Sequence, residues 1–408
     1  MNIEKIKPRD AAEVEQAIQW ALAKDKTLEV VGRGSKRAIG RAAQWDATLD
    51  LSSLSGITLY EPAELVLSAK AGTPLVEIET LLEKSAQQLA FEPADYGPLL
   101  GGAAGIGTIG GVISANLSGP RRLKAGAARD HFLGVAAVSG RGESFKSGGR
   151  VVKNVTGYDL CKLLAGSWGT LAAMTEVTVK TLPRAETEET LLVRARDEAA
   201  AEAMTTAMGS YADVSGAAHL PAGPTSRIGE LAALGGGATA LRLEGVAPSV
   251  AHRKDLLAKL LAGFGPLESL GGAASRALWR AIRDVAPFAS GSASGEHHIW
   301  RISTAPTRGV EIGRRLAEAA HAETFFDWAG GLVWAALPPT DDAGAALVRA
   351  LVGAAGGHAT LIRAPAAVRA KVEVFEPQNA ALAGLTKRVR EGFDPRGVLN
   401  AGRMWAGV

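Results

Sequence analysis

The chain opens with a helical pattern. In residues 10–24 (DAAEVEQAIQWALAK), Val14, Ile18, Ala21 and Leu22 share one face, and Asp10 and Glu13 have capping-box spacing. TLEVVG (27–32) then reads as a short buried strand running into GRGSKRAIGR. AELVLSAKAGT (63–73) predicts a second strand. PLVEIETLLEKSAQQ (74–88) predicts a helix with Pro74 in its first turn. A glycine-rich stretch occupies 97–119. DHFLGVAAVSGRGESFKSGG (130–149) predicts a hairpin, because GRG sits between an apolar run and an alternating one. GYDLCKLLAGS (157–167) predicts a short helix, and AAMTEVTVKTLP (172–183) a strand closed by Pro183. Beyond Pro183, strand patterns near 238–245, 298–304, 323–337 and 358–363 alternate with helical ones at 249–262, 276–286, 311–321 and 343–354. They predict a second, α/β domain. The tail EGFDPRGVLNAGRMW (391–405) is rich in glycine and asparagine again and is expected to pack back on the first domain.

Length and composition narrow this picture. A chain of 408 residues predicts two or three domains. Apolar residues at 47% and charged residues at 21% describe an ordinary folded chain. The net charge is only +3 and the basic residues are scattered, so no nucleic acid is expected. The single cysteine, Cys161, excludes an internal disulfide, a cysteine-ligated iron–sulfur cluster and a zinc finger, and no metal site is expected. Its apolar setting predicts a buried, inert thiol. The N-terminus lacks an apolar signal core, and no stretch approaches the roughly 20 apolar residues of a membrane span. The expected location is cytoplasmic, with any membrane contact made through a partner.

The sharpest motif is GIGTIGG (105–111). Gly105, Gly107 and Gly110 match G-x-G-x-x-G, and Asp130 stands 20 residues beyond the last of them. That spacing suggests a dinucleotide fingerprint with a ribose-binding acid. The context denies it. DYGPLLGGAA before the glycines is a loop where a buried strand is required. TIGGVISANLSGP supports only two or three helical turns before Gly119-Pro120. The segment before Asp130 carries no strand pattern. Seven of the nineteen residues from Gly101 to Gly119 are glycine, which is costly to order in a mere connection. Such backbone suits close approach to a ligand, with amides as anion donors. The alternative, a flexible surface loop, conflicts with Ile106, Ile109, Val112, Ile113 and Leu117, which suit a packed segment. A second glycine loop, VVGRGSKRAIG (30–40), leaves a buried strand. Consecutive amides of Gly32 to Lys36 can form a nest around a diphosphate, with Ser35, Arg33, Lys36 and Arg37 beside it. Two such loops fit one elongated ligand.

In combination these segments resemble the flavoproteins of the vanillyl-alcohol oxidase type, which carry a PCMH-type FAD-binding domain. The resemblance runs from about residue 5 to Pro183 and returns in the tail. VVGRGSK is similar to the pyrophosphate loop, VLSAKAGTPLVEIETLLEK to a strand–Ala-Gly–helix step, and GTIGGVISANLSGP to the segment along the flavin. RDHFLGVAAVSGRGE, KNVTGYDLCKLLAGSWGTL and TEVTVKTLP follow in order. Within the family, GPRRLKAGAARDHFLG and GGRVVKNVTGYDL look most like the FAD-binding subunit of bacterial glycolate oxidase, which works with a second flavin subunit and an iron–sulfur subunit. The implied fold is α+β: a two-lobed FAD-binding domain (1–183), an α/β cap domain (184–370) and a C-terminal segment (371–408) returning to the first. The resemblance implies that Val31, Gly32, Arg33, Gly34, Ser35 and Lys36 hold the FAD pyrophosphate. Gly107, Thr108, Gly110 and Gly111 would line the flavin and ribityl chain, continued by Ser114, Asn116 and Gly119. Glu176 and Val177 would offer backbone to the adenine end, and Asn400 would approach the flavin from the tail. Asp130 becomes a residue that pairs or caps locally.

The departures matter as much. No His or Cys lies between Gly32 and Arg41, so the FAD is expected to be non-covalent. Ala172 stands where the family has glycine. The His-x-Gly-Asp-Gly-Asn-x-His segment of the family's 2-hydroxy acid oxidising members is absent, and no catalytic residue is assigned. His297 and His298 lie on an expected strand, which would point one inward and one outward. Arg301, Arg283 and Lys371 are the cations at hand for a substrate carboxylate. Trp279, Trp300, Trp328, Trp334 and Trp405 suit either a core or a partner surface. The implied function is flavin-mediated oxidation of a small 2-hydroxy acid, glycolate to glyoxylate, with electrons passed to partner subunits. A self-sufficient dehydrogenase and a subunit that keeps the fold without turnover stand as alternatives.

Overall fold

The computed structural model describes residues 4–150 and 157–407. Within VVKNVTGYDL, the positions 151–156 lie outside the described residues. The first helix, Ala11–Ala23, starts where Asp10 accepts from the Glu13 amide at 2.9 Å. Its buried Val14, Ile18 and Ala21 share a small core with three parallel strands, in the order Glu4–Ile6, Ala47–Asp50, Leu28–Val31. A second lobe is an antiparallel sheet in the order Ile57–Glu61, Val66–Lys70, Ala172–Lys180, Phe132–Ser139, Ser144–Gly148. Its last two strands are the expected hairpin, turned at Gly142 with φ +72°. The helices Leu75–Glu83 and Ile109–Ala115 bury Ile78, Leu82, Val112 and Ile113 in the same core.

The remainder is one eight-stranded antiparallel sheet. Its order is Leu267–Gly271, Thr187–Val193, Ala238–Gly245, Gly216–Leu220, Glu323–Asp327, Leu332–Leu337, His298–Thr304, Gly357–Arg363. One face, with Leu191, Leu241, Trp300 and Val333, is covered by the helices Ala200–Met208, Ala247–Leu261, Pro306–Ala320 and Ala345–Ala355. The other, with Leu192, Ala240, Phe325 and Trp334, packs on the core of the second lobe. Trp279, Trp300, Trp328 and Trp334 are at most 4% exposed, so these indoles are core rather than partner surface. Three expectations change. The strand predicted over 323–337 is two strands, broken at Trp328–Gly330, where Trp328, Ala329 and Gly330 all have positive φ. The strands Thr187–Val193, Gly216–Leu220 and Leu267–Gly271 were not anticipated. The tail carries a 14-residue helix, Ala380–Phe393, capped by Asn379, before its glycine-rich end.

A buried ionic cluster locks the sheet to the second lobe. Arg121 donates to Glu92 at 2.8 Å and to Glu244 at 2.7 Å. Arg242, with no exposure, donates to both Glu92 oxygens at 2.8 and 3.1 Å. Although burial alone would raise it, the two guanidiniums hold the Glu92 pKa down to about 2. Glu188 completes the group, 3.4 Å from Arg121. Three carboxylates against two guanidiniums leave one negative charge in excess. Burial and the adjacent Glu244 push the Glu188 pKa upward.

Candidate cofactor site

The first loop forms where the strand Leu28–Val31 leaves its sheet and Gly34 turns the backbone at φ +76°. The amides of Gly32, Arg33, Gly34, Ser35 and Lys36 donate to no protein acceptor among the described residues. They form the row of free donors that an anion requires. The second loop is built differently. Thr108 caps the helix Ile109–Ala115, its Oγ1 accepting from the Gly111 amide at 3.2 Å. The amides of Ile109 and Gly110 are already taken by Thr73 O (3.0 Å) and Ala71 O (2.9 Å). Gly110 is therefore a packing requirement: a Cβ there would lie 2.7 Å from the Ala71 carbonyl oxygen. The two loops face each other closely. A Cβ on Gly32 would stand 2.6 Å from Thr108 Oγ1, and one on Gly107 3.9 Å from Lys36 Nζ. Val31–Lys36, Thr108, Gly111 and Ser114 line one cleft together with Trp168 and Arg403.

The charges in this cleft lack partners. Lys36 is buried and donates only to Ser35 Oγ, at 3.1 Å, among the described residues. Burial presses its pKa down to about 8, aided by Arg403 and opposed by Asp95. Arg403 donates through Nη2 to Lys36 O at 3.0 Å, while its buried Nε has no acceptor. Burial holds the Arg403 pKa down to about 10. Two buried cations and five free amides fit a diphosphate, which would satisfy all of them at once. Arg37, expected to add charge, is instead bonded to Glu29 (2.7 Å for one of its two contacts), and Arg33 is exposed.

The other expected positions fall in several places. Ser114 lines the cleft and accepts from the Trp168 amide at 2.9 Å. Asn116 ends the helix at φ +50° and accepts from the Arg129 amide at 3.0 Å. Gly119 sits at the junction of the lobes, where a Cβ would lie 2.8 Å from Glu92, and its carbonyl accepts from Trp328 Nε1 at 3.0 Å. Glu176 and Val177 are not brought into the cleft lining. Both pair with Lys70 and Ala69 on one side and Ala136 and Val135 on the other, so their main chain is committed to the sheet. Ala71, Ala172 and Met174 line the inner cleft instead. Asn400 works as a staple. Its Oδ1 accepts from the Val30 amide (2.8 Å) and its Nδ2 donates to Trp168 O (2.7 Å). Replacing Asn400 with alanine leaves both groups unpaired, and we expect a loss of roughly 2–4 kcal/mol in denaturant unfolding. A loss below about 1 kcal/mol would contradict this role.

Asp130 accepts from the Ala127 amide at 2.8 Å and so caps its own turn, which disposes of a ribose-binding role. His298 is buried, its Nε2 held by the Thr340 main chain (carbonyl at 3.0 Å, amide at 3.1 Å), and does not line the cleft. Arg283 is engaged by Asp284 at 2.8 Å, and Lys371 is exposed. Sequence reasoning missed Arg403 and Trp168, although both lie inside quoted motifs, VLNAGRM and AGSWGT. Neither has a spacing signal of its own; only the fold brings them to residue 36.

Comparison with known proteins agrees with this geometry. Residues 5–148 match the family model described as "FAD binding domain". The chain is 32% identical over 399 residues to glycolate oxidase subunit GlcE of Escherichia coli (strain K12), covering 97% of this chain and 96% of that protein. It is 32% identical over 188 residues to glycolate oxidase subunit GlcD of Bacillus subtilis (strain 168), covering 46% of this chain and 38% of that protein. Among solved structures, p-cresol methylhydroxylase with substrate bound shares the fold at TM-score 0.70 and 11% identity, over 98% of this chain and 88% of that one. Alkyldihydroxyacetonephosphate synthase does so at 0.65 and 15%, over 97% and 76%. With a family model matching residues 5–148 and a relative alike along nearly the whole length, the chain belongs to the PCMH-type family of FAD-binding flavoprotein oxidoreductases.

Proposed function

We propose that this chain is the FAD-binding subunit of an assembly that oxidises a small 2-hydroxy acid, with glycolate to glyoxylate as the reaction to test first. The similarity to two glycolate oxidase subunits supports that reading. The observation that carries it is the pair of glycine loops facing one another across a cleft with Lys36 and Arg403 unneutralised. In this reading residues 1–183 hold the cofactor, 184–370 form the cap and 371–408 close the site. Val31 to Lys36 cradle the pyrophosphate. Gly107, Thr108, Gly110, Gly111, Ser114, Asn116 and Gly119 form the wall beside the flavin and ribityl chain. Asn400 holds the strand that presents the first loop.

Bound FAD supplies the hydride acceptor. The chain's own residues seat the diphosphate, fix the flavin against the Thr108–Asn116 segment and shield it under Trp168. Electrons then pass to partners, a second flavin subunit and an iron–sulfur subunit. No described helix is long and apolar enough to cross a membrane. We place the chain in the cytoplasm, with membrane contact made by its partners.

The purified chain is expected to be yellow and to release its FAD intact on denaturation, with the polypeptide at its unmodified mass. A colourless protein that takes up no FAD would overturn the proposal, and a flavin-sized mass increment would overturn non-covalent binding. With glycolate and a dye acceptor, turnover is expected to rise sharply when the partner subunits are added. Full turnover by the isolated chain would favour the self-sufficient dehydrogenase.

A further inference from the structure

The inner face of the eight-stranded sheet presents polar side chains to the cofactor lobe. Along His298–Thr304, Trp300 and Ile302 enter the helix-covered core, so alternation turns Arg301 and Ser303 to the opposite face. Pairing sets Ser303 beside His358, and Arg301 between Thr360 and Trp334. Trp328, in the turn between two of these strands, is fixed by its bond to Gly119 O at 3.0 Å. Arg122, three residues beyond Gly119, reaches the same indole. Its Cζ lies 4.3 Å from the Trp328 ring centroid, and that of Arg301 lies 4.9 Å away. One arginine from each lobe thus rests on one indole.

Neither arginine forms an ion pair among the described residues, whereas Arg121 next door is paired three times. The neighbouring acids make no ion pair with them and are bonded to main-chain amides instead. Asp130, near Arg122, is occupied by the Ala127 amide at 2.8 Å. Asp327, near Arg301, is buried and bonded to the Trp328 amide at 2.7 Å, and burial pushes its pKa up to about 7. The indole that carries the pair is bonded to Gly119, the end of the segment assigned above to the flavin wall. Trp168, bonded to Ser114, packs on Phe375 at 5.5 Å, and the adjoining Glu376 accepts from the Ala359 amide, next to His358, at 2.8 Å.

We propose that Arg122 and Arg301, held on the Trp328 indole, form the seat for the substrate carboxylate, which on binding bridges the cofactor lobe and the sheet. A guanidinium fork matches a carboxylate, and stacking on an indole limits its rotamers before the anion arrives. The site takes a small monocarboxylate. The substrate class rests on the proposed function; the anion site itself does not.

The test is calorimetric titration of the FAD-loaded protein with glycolate and with methyl glycolate, which lacks the carboxylate. Glycolate is expected to bind and the ester not. Arg122→Met and Arg301→Met are each expected to weaken glycolate by about tenfold or more. The double variant should show no measurable binding, and lysine at either position should fall between, all with unchanged FAD content and circular dichroism. Unchanged glycolate affinity in the methionine variants would overturn the inference, and so would equal binding of acid and ester. Absence of FAD from the unsubstituted protein would instead count against the proposed function.

Discussion

Replacing Glu92 with alanine is expected to destabilise the chain by about 3–5 kcal/mol, the usual cost of removing one partner from a buried ion cluster. Arg242 would be left with no exposure and only Glu244, 3.5 Å away, while Arg121 would lose its main-chain as well as its side-chain partner. Glu92→Gln keeps the shape and is expected to recover little, because the charge is what the guanidiniums require. Urea unfolding checks both, and a loss below about 1 kcal/mol for the alanine variant would mean that the cluster is already compensated elsewhere. The same carboxylate sets a pH dependence. Its folded pKa, about 2, lies below its ordinary value of 4.5. The associated stability is therefore fully present above the unfolded value and is lost as pH falls through roughly 4.5 toward 2, amounting to about 3 kcal/mol. Glu92→Gln is expected to flatten that part of the acid unfolding curve.

Gly32→Ala is expected to weaken FAD binding by about ten- to a hundredfold, from the 1–3 kcal/mol typical of overpacking. The added methyl would meet Thr108 Oγ1 at 2.6 Å, the point where the two loops come closest. Thr108 cannot simply rotate away, since the same oxygen caps the Gly111 amide. Fluorescence titration of apoprotein with FAD measures the effect. Adding Thr108→Ala removes the colliding oxygen, so the double variant should bind FAD better than Gly32→Ala alone, a non-additivity expected of residues in contact. Purely additive losses would show that the loops do not touch as described.

Much of the cofactor lobe was legible because its signals are local. The Asp10 cap, the Gly-Arg-Gly hairpin and the short helix before Gly119-Pro120 each follow from a few adjacent residues, whereas Pro183, expected to close a strand, lies instead in the two-residue strand Leu182–Pro183. Gly-x-Gly-x-x-Gly misleads only when read without its flanks. Gly-Ala-Ala-His-Leu at 216–220 is a central strand with no β-branched residue, so neither propensity nor alternation marks it. The break at Trp328–Gly330 was hidden because Trp328 and Ala329 take a backbone conformation that their residue types rarely adopt. The helix Ala380–Phe393 did leave a trace: Asn379 caps it, and Leu382, Leu385 and Val389 have helical spacing, but the glycines farther along dominated the reading. The ionic lock could not be seen at all. Glu92 lies 29 residues from Arg121 and 150 from Arg242, and no local pattern connects them.

The staple at Asn400 joins distant parts of the chain. Leu399 pairs with Leu28, Asn400 ties Val30 to Trp168, and Arg403 reaches Lys36. The proposed diphosphate cradle therefore draws on segments 370 residues apart in sequence. Undocking of residues 399–403 is expected to loosen the proposed cradle while the strand pairing of the other sheets is untouched.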